Sequence, residues 1–271
     1  MSIGTSIEWT EATWNPVTGC DRVSEGCDNC YALRLARRLK AMGNPRYQKD
    51  GNPRTSGPGF GVTLHGDKLD EPIGWKKPRV VFVNSMSDLF HDAVPEDFIA
   101  RTFLTMASCP HHTFQVLTKR PGRMASIVQR LPSIARVTLG ARFPTWPLPN
   151  VWLGTSIENQ RWADVRIPKL LETPAAVRFL SCEPLLGEID IRPWLDHDAA
   201  IDWIIAGGES GFRARPVDPR WITALRDQCG DIGVAFFFKQ WGGHTAKAGG
   251  RSLEGRTWDE MPEQRPALVS R

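Results

Sequence analysis

The sequence predicts an α/β protein: a partial or complete (β/α) barrel of about six parallel strand–helix units, in a single domain with an irregular insertion. Two observations carry that prediction. Short apolar, β-branched or aromatic runs recur along the chain, each followed by a polar loop and then by a helical pattern. The runs are continuously apolar rather than alternating, as strands buried on both faces of a parallel sheet must be. Serial repetition of such units suggests a barrel. A flat doubly wound sheet is the alternative, because periodicity does not distinguish a closed sheet from an open one.

The units follow in order. Val80, Phe82 and Val83 lead into NSMSDLF, and a helix over 96–108 is opened by Pro95. TFQVL (113–117) leads into TKRPGR and a helix over 124–131. Residues 151–154 lead into TSIEN and a helix over 161–171. Residues 177–180 lead into SCEPLLG. Residues 203–206 lead into GGESG and a helix over 219–229, and 234–238 lead into KQWGG. The barrel domain so defined spans 1–245. Within it, 43–78 is rich in Gly, Pro and charge and reads as an irregular lid. Residues 246–271 read as a polar C-terminal tail whose last residues are disordered. In either α/β architecture a ligand site lies at the carboxyl ends of the strands, where these polar loops gather.

Composition narrows the class. The 271 residues are 41% hydrophobic and 24% charged, with a net charge of +4, as in an ordinary globular protein. No apolar run approaches the ~20 residues of a membrane helix. The opening MSIGTSIEWTEA has neither the basic start nor the apolar core of a secretion signal. A cytoplasmic, reducing location is therefore expected, where clustered cysteines more often bind metal than pair. Eleven tryptophans read mainly as packing residues.

The chemistry concentrates between residues 15 and 31. NPVTGCDRVSEGCDNCYA holds Cys20, Cys27 and Cys30, half of the chain's six cysteines, spaced C-x6-C-x2-C where a first strand hands over to a first helix. The C-x2-C pair lets two thiolates converge on one centre, and Gly19 and Gly26 let the backbone curl around it. Three thiolates fit an iron–sulfur cluster with one iron left for a small molecule. They also fit a zinc site completed by His65, His91 or Cys182. Cys182 otherwise reads as a small buried hydrophobe, Cys109 and Cys229 as packing residues, and His111–His112 as a plain helix–strand connection.

With these residues in view, the chain resembles the radical S-adenosylmethionine superfamily, whose partial (β/α) barrels carry a three-cysteine loop after the first strand. NPVTGC, SEGCDNCYA, SMSDLFH, LTKRP, GTSIEN, LSCEPLLG and GGESG together resemble, more closely, a phage-associated family of radical-S-adenosylmethionine-like proteins without an assigned reaction. The resemblance covers about 9–243. The first cysteine gap here is three residues longer than the superfamily's usual C-x3-C-x2-C, while the aromatic residue usual beside the last cysteine is present as Tyr31.

The resemblance implies a 4Fe–4S cluster on Cys20, Cys27 and Cys30, S-adenosylmethionine on its fourth iron, an electron donor, and a 5′-deoxyadenosyl radical that abstracts hydrogen from a substrate. The resemblance gives a role to the first strand-end loop, and the chemistry of the other strand-end residues suggests how they could serve the same cofactor. Ser85, Ser87 and Asp88 occupy the place of the methionine-amine contact, with Asp88 as ammonium acceptor or, alternatively, a helix N-cap. Lys119 and Arg120 suit a carboxylate or phosphate. Ser156 and Glu158 suit ribose hydroxyls. Ser181 and Glu183 share one pleat face, with Cys182 on the other. Gly207 and Glu209, in GGESG, offer a backbone approach to adenine and a carboxylate.

Two functions of different class follow. One is a radical enzyme acting on nucleic acid or a nucleotide, supported by the basic residues Arg34, Arg37, Arg38 and Lys40 and by Lys76, Lys77 and Arg79. The other is a non-enzymatic nucleic-acid- or protein-binding module held by zinc or an iron–sulfur group.

Overall fold

A computed structural model describes residues 5, 7–195, 201–245 and 247–262. Seven strands form one parallel sheet: β1 (Ala12–Trp14), β4 (Val80–Val83), β5 (Thr113–Thr118), β6 (Val151–Ser156), β7 (Val177–Cys182), β8 (Trp203–Gly207) and β9 (Ala235–Gln240). They lie side by side in that order, every pair parallel. A doubly wound sheet would reverse its order at a switch point; this one never does. Two short strands, β2 (Val17–Thr18) and β3 (Thr63–Leu64), pair antiparallel beside it.

The helices are α1 (Tyr31–Ala41), α2 (Glu96–Ala107), α3 (Pro121–Leu139), α4 (Gln160–Leu171) and α5 (Pro219–Ile232). Their ends follow local chemistry. Asn159 caps α4 by accepting the Trp162 N–H, and Asp218 caps α5 by accepting the Arg220 N–H, with Pro219 at the first helical position. α3 runs through Pro132 to Leu139, beyond the expected stop at 131. The connection from β7 to β8 carries only a 3-10 turn, Arg192–Trp194, among the described residues. Where the sequence suggests about six strand–helix units, the structure has seven parallel strands and, among the described residues, five α-helices.

The sheet curls into a partial barrel. Two aromatic residues show this directly: Trp9, just before β1, meets the Trp203 ring on β8 at 6.1 Å. Alternation along the strands divides the core in two. Val81, Val83, Leu153, Leu180, Ile204 and Phe238 face the helices. Phe82, Trp152, Phe179, Trp203 and Phe237 face inward and, with Trp9, fill the concave side. Trp203 sits centrally, with Trp152 at 5.8 Å, Phe179 at 5.7 Å and Phe237 at 6.1 Å. Many of the chain's tryptophans are therefore packing residues, and the aromatic filling gives the barrel an apolar floor.

The barrel stays open, with β1 and β9 each at an edge. The free edge of β9 is covered by the C-terminal segment: Phe238 N–H donates to the Trp258 carbonyl and Phe237 bridges Asp259 antiparallel. Thus part of the stretch expected as a polar tail is a structural strap over an otherwise exposed edge. The last residues, 263–271, for which disorder was expected, lie outside the described residues. The insertion 43–78 has little regular structure, as expected, but it is anchored: Tyr47, Phe60 and Leu69 are buried, and His65 Nε2 lies 2.8 Å from Thr18 Oγ1.

Candidate functional site

At the carboxyl ends of the strands lies a cavity of about 270 Å³. Cys20, Cys27 and Cys30 all line it. Cys20 and Cys30 also pack against a small apolar group of Ala32, Ala36, Tyr47, Phe60 and Met86 under the insertion. Cys30 stands at the head of α1. Burial pushes its thiol up, and the backbone N–H groups of Ala32 and Leu33 oppose that shift. Burial, then the charge of Asp88, push the Cys20 thiol up to about 12, against the pull of Arg120. A metal binding there would displace thiol protons.

The loop that carries the cysteines is tied down by acidic groups. Glu158, expected to face ribose hydroxyls, does not line the cavity. It is fully buried, accepts from Ser24 Oγ at 2.8 Å and Arg166 Nη1 at 3.0 Å, and lies 3.4 Å from Lys119 Nζ. It presses so closely under Gly26 that a Cβ there would fall 2.4 Å from its Oε1. Glu209 lines the cavity, but its carboxylate accepts from Asn29 Nδ2 at 2.8 Å and from the Arg215 backbone N–H and guanidinium. Burial raises the Glu209 carboxyl, but the Arg215 and Asn29 hydrogen bonds outweigh it and hold it below the usual range. Glu25, further along the loop, accepts from Trp162 Nε1 at 2.8 Å.

Asp88 also has its acceptors filled. Oδ1 accepts from Thr118 Oγ1 at 2.7 Å and Phe90 N–H at 3.0 Å; Oδ2 accepts from Lys119 N–H at 3.2 Å and Arg120 Nη1 at 3.0 Å. The Phe90 contact closes a local turn and is not the helix cap offered as the alternative, since the next helix, α2, starts at Glu96 with Pro95 at its N-cap. The Arg120 contact aims the guanidinium at Cys20, whose Sγ accepts from Nη1 at 3.4 Å. Burial pulls the Arg120 guanidinium's pKa down, but Asp88 and Cys20 outweigh it and keep the cation charged.

Of the other expected residues, Ser85, Ser87, Lys119, Ser156, Ser181 and Glu183 line the cavity. Ser87 Oγ donates to the Val17 carbonyl, and Glu183 pairs with Lys239 at 2.8 Å. Gly207 does not line it; Gly208 does. Lys239, Gln240 and Asn84 also line it and were not singled out from the sequence. The strand-end rule pointed to all three, since Asn84 directly follows β4 and Lys239 and Gln240 are the last two residues of β9. Asn84 holds a left-handed φ of 61°, and its buried Nδ2 has no hydrogen-bond partner among the described residues.

Neither His65, His91 nor Cys182 lines the cavity. His65 is bonded to Thr18, and burial pushes its imidazole down to about 4. His91 has Nε2 2.9 Å from Asp21 and accepts the Ala93 N–H at Nδ1. Cys182 lies in the core under the helices, with Cys109 and Cys229. Among the described residues no three His, Cys, Asp or Glu side chains converge to hold a single metal ion. A four-iron cluster is a different demand, because its thiolates bind separate irons and stand further apart than ligands sharing one ion. Three free cysteines lining one recess, beside a guanidinium and helix-start amides, are a donor set that fits it.

The basic residues divide. Arg34, on α1, reaches the cavity rim, donating to the Ser210 carbonyl at 3.4 Å, whereas Lys40 is paired with Asp50. Lys76, Lys77 and Arg79 precede β4 and so lie at the opposite, amino end of the sheet.

Fold and site together define a parallel, partial (β/α) barrel with three cysteines in its mouth. The chain belongs to a protein family of unknown function, DUF5131, whose family model matches residues 4–262. Nothing among curated proteins or solved structures matches it. No helix among the described residues is long and apolar enough to cross a membrane.

Proposed function

We propose that the protein is an iron–sulfur enzyme of the radical S-adenosylmethionine type, acting on nucleic acid or a nucleotide with an external electron donor. One observation carries this reading: Cys20, Cys27 and Cys30 all line one cavity at the carboxyl ends of a parallel partial barrel, and His65, His91 and Cys182 do not. When bound, the cluster supplies the electron that cleaves S-adenosylmethionine to methionine and a 5′-deoxyadenosyl radical.

The chain's own residues hold and shield. Cys20, Cys27 and Cys30 are the ligands. Arg120 donates to the Cys20 sulfur and is oriented by Asp88. Lys119 is a cation facing the cavity, suited to a carboxylate. Asn84 offers an unused amide donor, and Ser156, Ser181, Gly208 and the Glu183–Lys239 pair surround the remaining space. Phe82, Leu117 and Trp9 floor the cavity and keep water from its depth. Glu158 and Glu209 fasten the loop. Six free cysteines suit a reducing, cytoplasmic compartment.

The test is anaerobic reconstitution with iron and sulfide. Bound iron and sulfide, a reduced-state electron paramagnetic resonance signal that S-adenosylmethionine alters, and 5′-deoxyadenosine on adding dithionite are expected. A second reading, a metal-stabilised binding module, draws on the acidic clamps, since Glu158 and Glu209 hold the loop instead of reaching for a ligand. Stoichiometric zinc without sulfide, and no spectral response to S-adenosylmethionine, would establish that reading in place of the first.

A further inference from the structure

Beside the cavity the rim carries an aromatic ring held out into solvent. Phe212 is 64% exposed, although it closely follows Ser210, which lines the cavity. Its position is not loose. Gly211 N–H donates to the Gly243 carbonyl at 2.8 Å and Gly243 N–H to the Glu209 carbonyl at 2.9 Å, locking this loop to the one that carries His244. The His244 ring stands edge-on to Phe212 at 6.5 Å. The Arg213 guanidinium lies 5.4 Å from the centre of the Phe212 ring.

Arg34 completes the patch from α1. Its guanidinium lies so close over Gly211 that a Cβ there would fall 2.0 Å from Nη2. Arg38, one turn further along α1, is exposed on the same helix face, and Arg22 is exposed at the cavity. None of Arg22, Arg34, Arg38 or Arg213 is in a salt bridge among the described residues. The neighbouring acids are engaged: Glu209 pairs with Arg215, and Asp28 lies 3.6 Å from the same guanidinium. The rim therefore presents unneutralised guanidinium groups around a fixed, exposed π-face. Burying apolar surface alone would not call for this cation density, and a free anion would not call for the ring.

We propose that this rim is a docking platform for a single-stranded polynucleotide, with one base stacked on Phe212 and the flanking phosphates on Arg34, Arg38 and Arg213. Stacking is tolerant of base identity, and the guanidinium row follows the backbone. The strand would lie across the mouth and present one nucleotide to the cavity. That last step takes the cavity as the reactive site, as proposed above, but docking itself needs no cluster.

The test is fluorescence anisotropy with labelled oligothymidylate and oligouridylate, on the full chain with its iron content measured in the same sample. Wild type should bind single strands more tightly than a duplex of the same length. Phe212→Ala should weaken binding roughly five- to a hundredfold, and Phe212→Trp should restore it. Replacing Arg34 and Arg213 by Gln should flatten the salt dependence, by about 0.7 in the log–log slope for each phosphate no longer neutralised. The relative affinity for the two oligomers would say whether DNA or RNA is the natural strand. Unchanged affinity in Phe212→Ala, no preference for single strands, or Phe212-dependent binding to phosphatidylserine vesicles instead would overturn the proposal. Iron-free protein that still binds would separate a failure of the cluster reading from a failure of this one.

Discussion

Arg120 Nη1 lies 3.4 Å from the sulfur of Cys20, and the same nitrogen lies 3.0 Å from Asp88. A cation and an N–H donor are thus fixed against one of the three proposed ligands, largely out of solvent. Hydrogen bonds and local charge at the sulfurs set a cluster's potential, because reduction adds negative charge to the ligand shell.

Arg120→Met should therefore lower the reduction potential of the reconstituted cluster, and Arg120→Lys should lower it less. Redox titration followed by electron paramagnetic resonance reads this independently of turnover. A potential unmoved by Arg120→Met at full iron content would show that the guanidinium does not act on the cluster.

The buried acids give a stability prediction. Glu158 faces Arg166, which is itself 1% exposed, so Glu158→Leu leaves a cation uncompensated in the core. Such a loss typically costs about 3–5 kcal/mol, whereas Asp190→Asn, which breaks an exposed pair with Arg192, should cost less than about 1 kcal/mol. Urea denaturation would measure both. Comparable costs would mean that Glu158 is not the anchor its geometry describes.

His65 gives a pH dependence. Burial, then the charge of Arg46, push its imidazole from 6.5 down to about 4. The unfolded chain therefore binds the extra proton between pH 6.5 and 4, and the folded chain does not. Stability should fall as pH drops through that window and flatten, for this group, below about 4. Because His65 joins the insertion to Thr18, the 43–78 segment should loosen first, seen as faster amide exchange there. His65→Gln should remove this part of the slope. An identical slope in that variant would place the acid sensitivity in other groups.

How far the site was legible follows from where its partners come from. The strand ends could be read because an apolar run followed by a polar loop is local in the chain, and parallel alternation put Ser181 and Cys182 on opposite faces. The roles of Asp88 and Glu158 could not. Their donors arrive from distant segments: Ser24 reaches Glu158 across 134 residues, and Thr118 reaches Asp88 across 30. In the sequence each looks like a free acceptor for a ligand; in the fold each already holds the protein together. Lys239 and Asn84 sit at the right strand ends, but nothing local distinguishes an inward Lys or Asn from a solvated one. The strap over β9 was hidden for a similar reason, since residues 253–260 look polar until Trp258 and Leu253 find the sheet edge.

The cysteines separate into two sets, and their environments predict opposite outcomes. Cys20, Cys27 and Cys30 line the cavity; Cys109, Cys182 and Cys229 pack under the helices. A cluster left with two thiolates loses both a ligand and the chelate closure of the loop. Single Ala substitutions at Cys20, Cys27 or Cys30 should therefore drop iron and sulfide by at least about tenfold after reconstitution. Far-ultraviolet circular dichroism should stay near that of the metal-free wild type, because the loop is held independently through Glu158, Glu209 and Glu25. Cys182→Ala should do the reverse. It removes a buried sulfur from a close-packed core and should cost about 1 kcal/mol or more of stability, with iron content unchanged. Retention of iron in Cys27→Ala, or its loss in a folded Cys182→Ala, would mean that the metal ligands are not the three residues in the mouth.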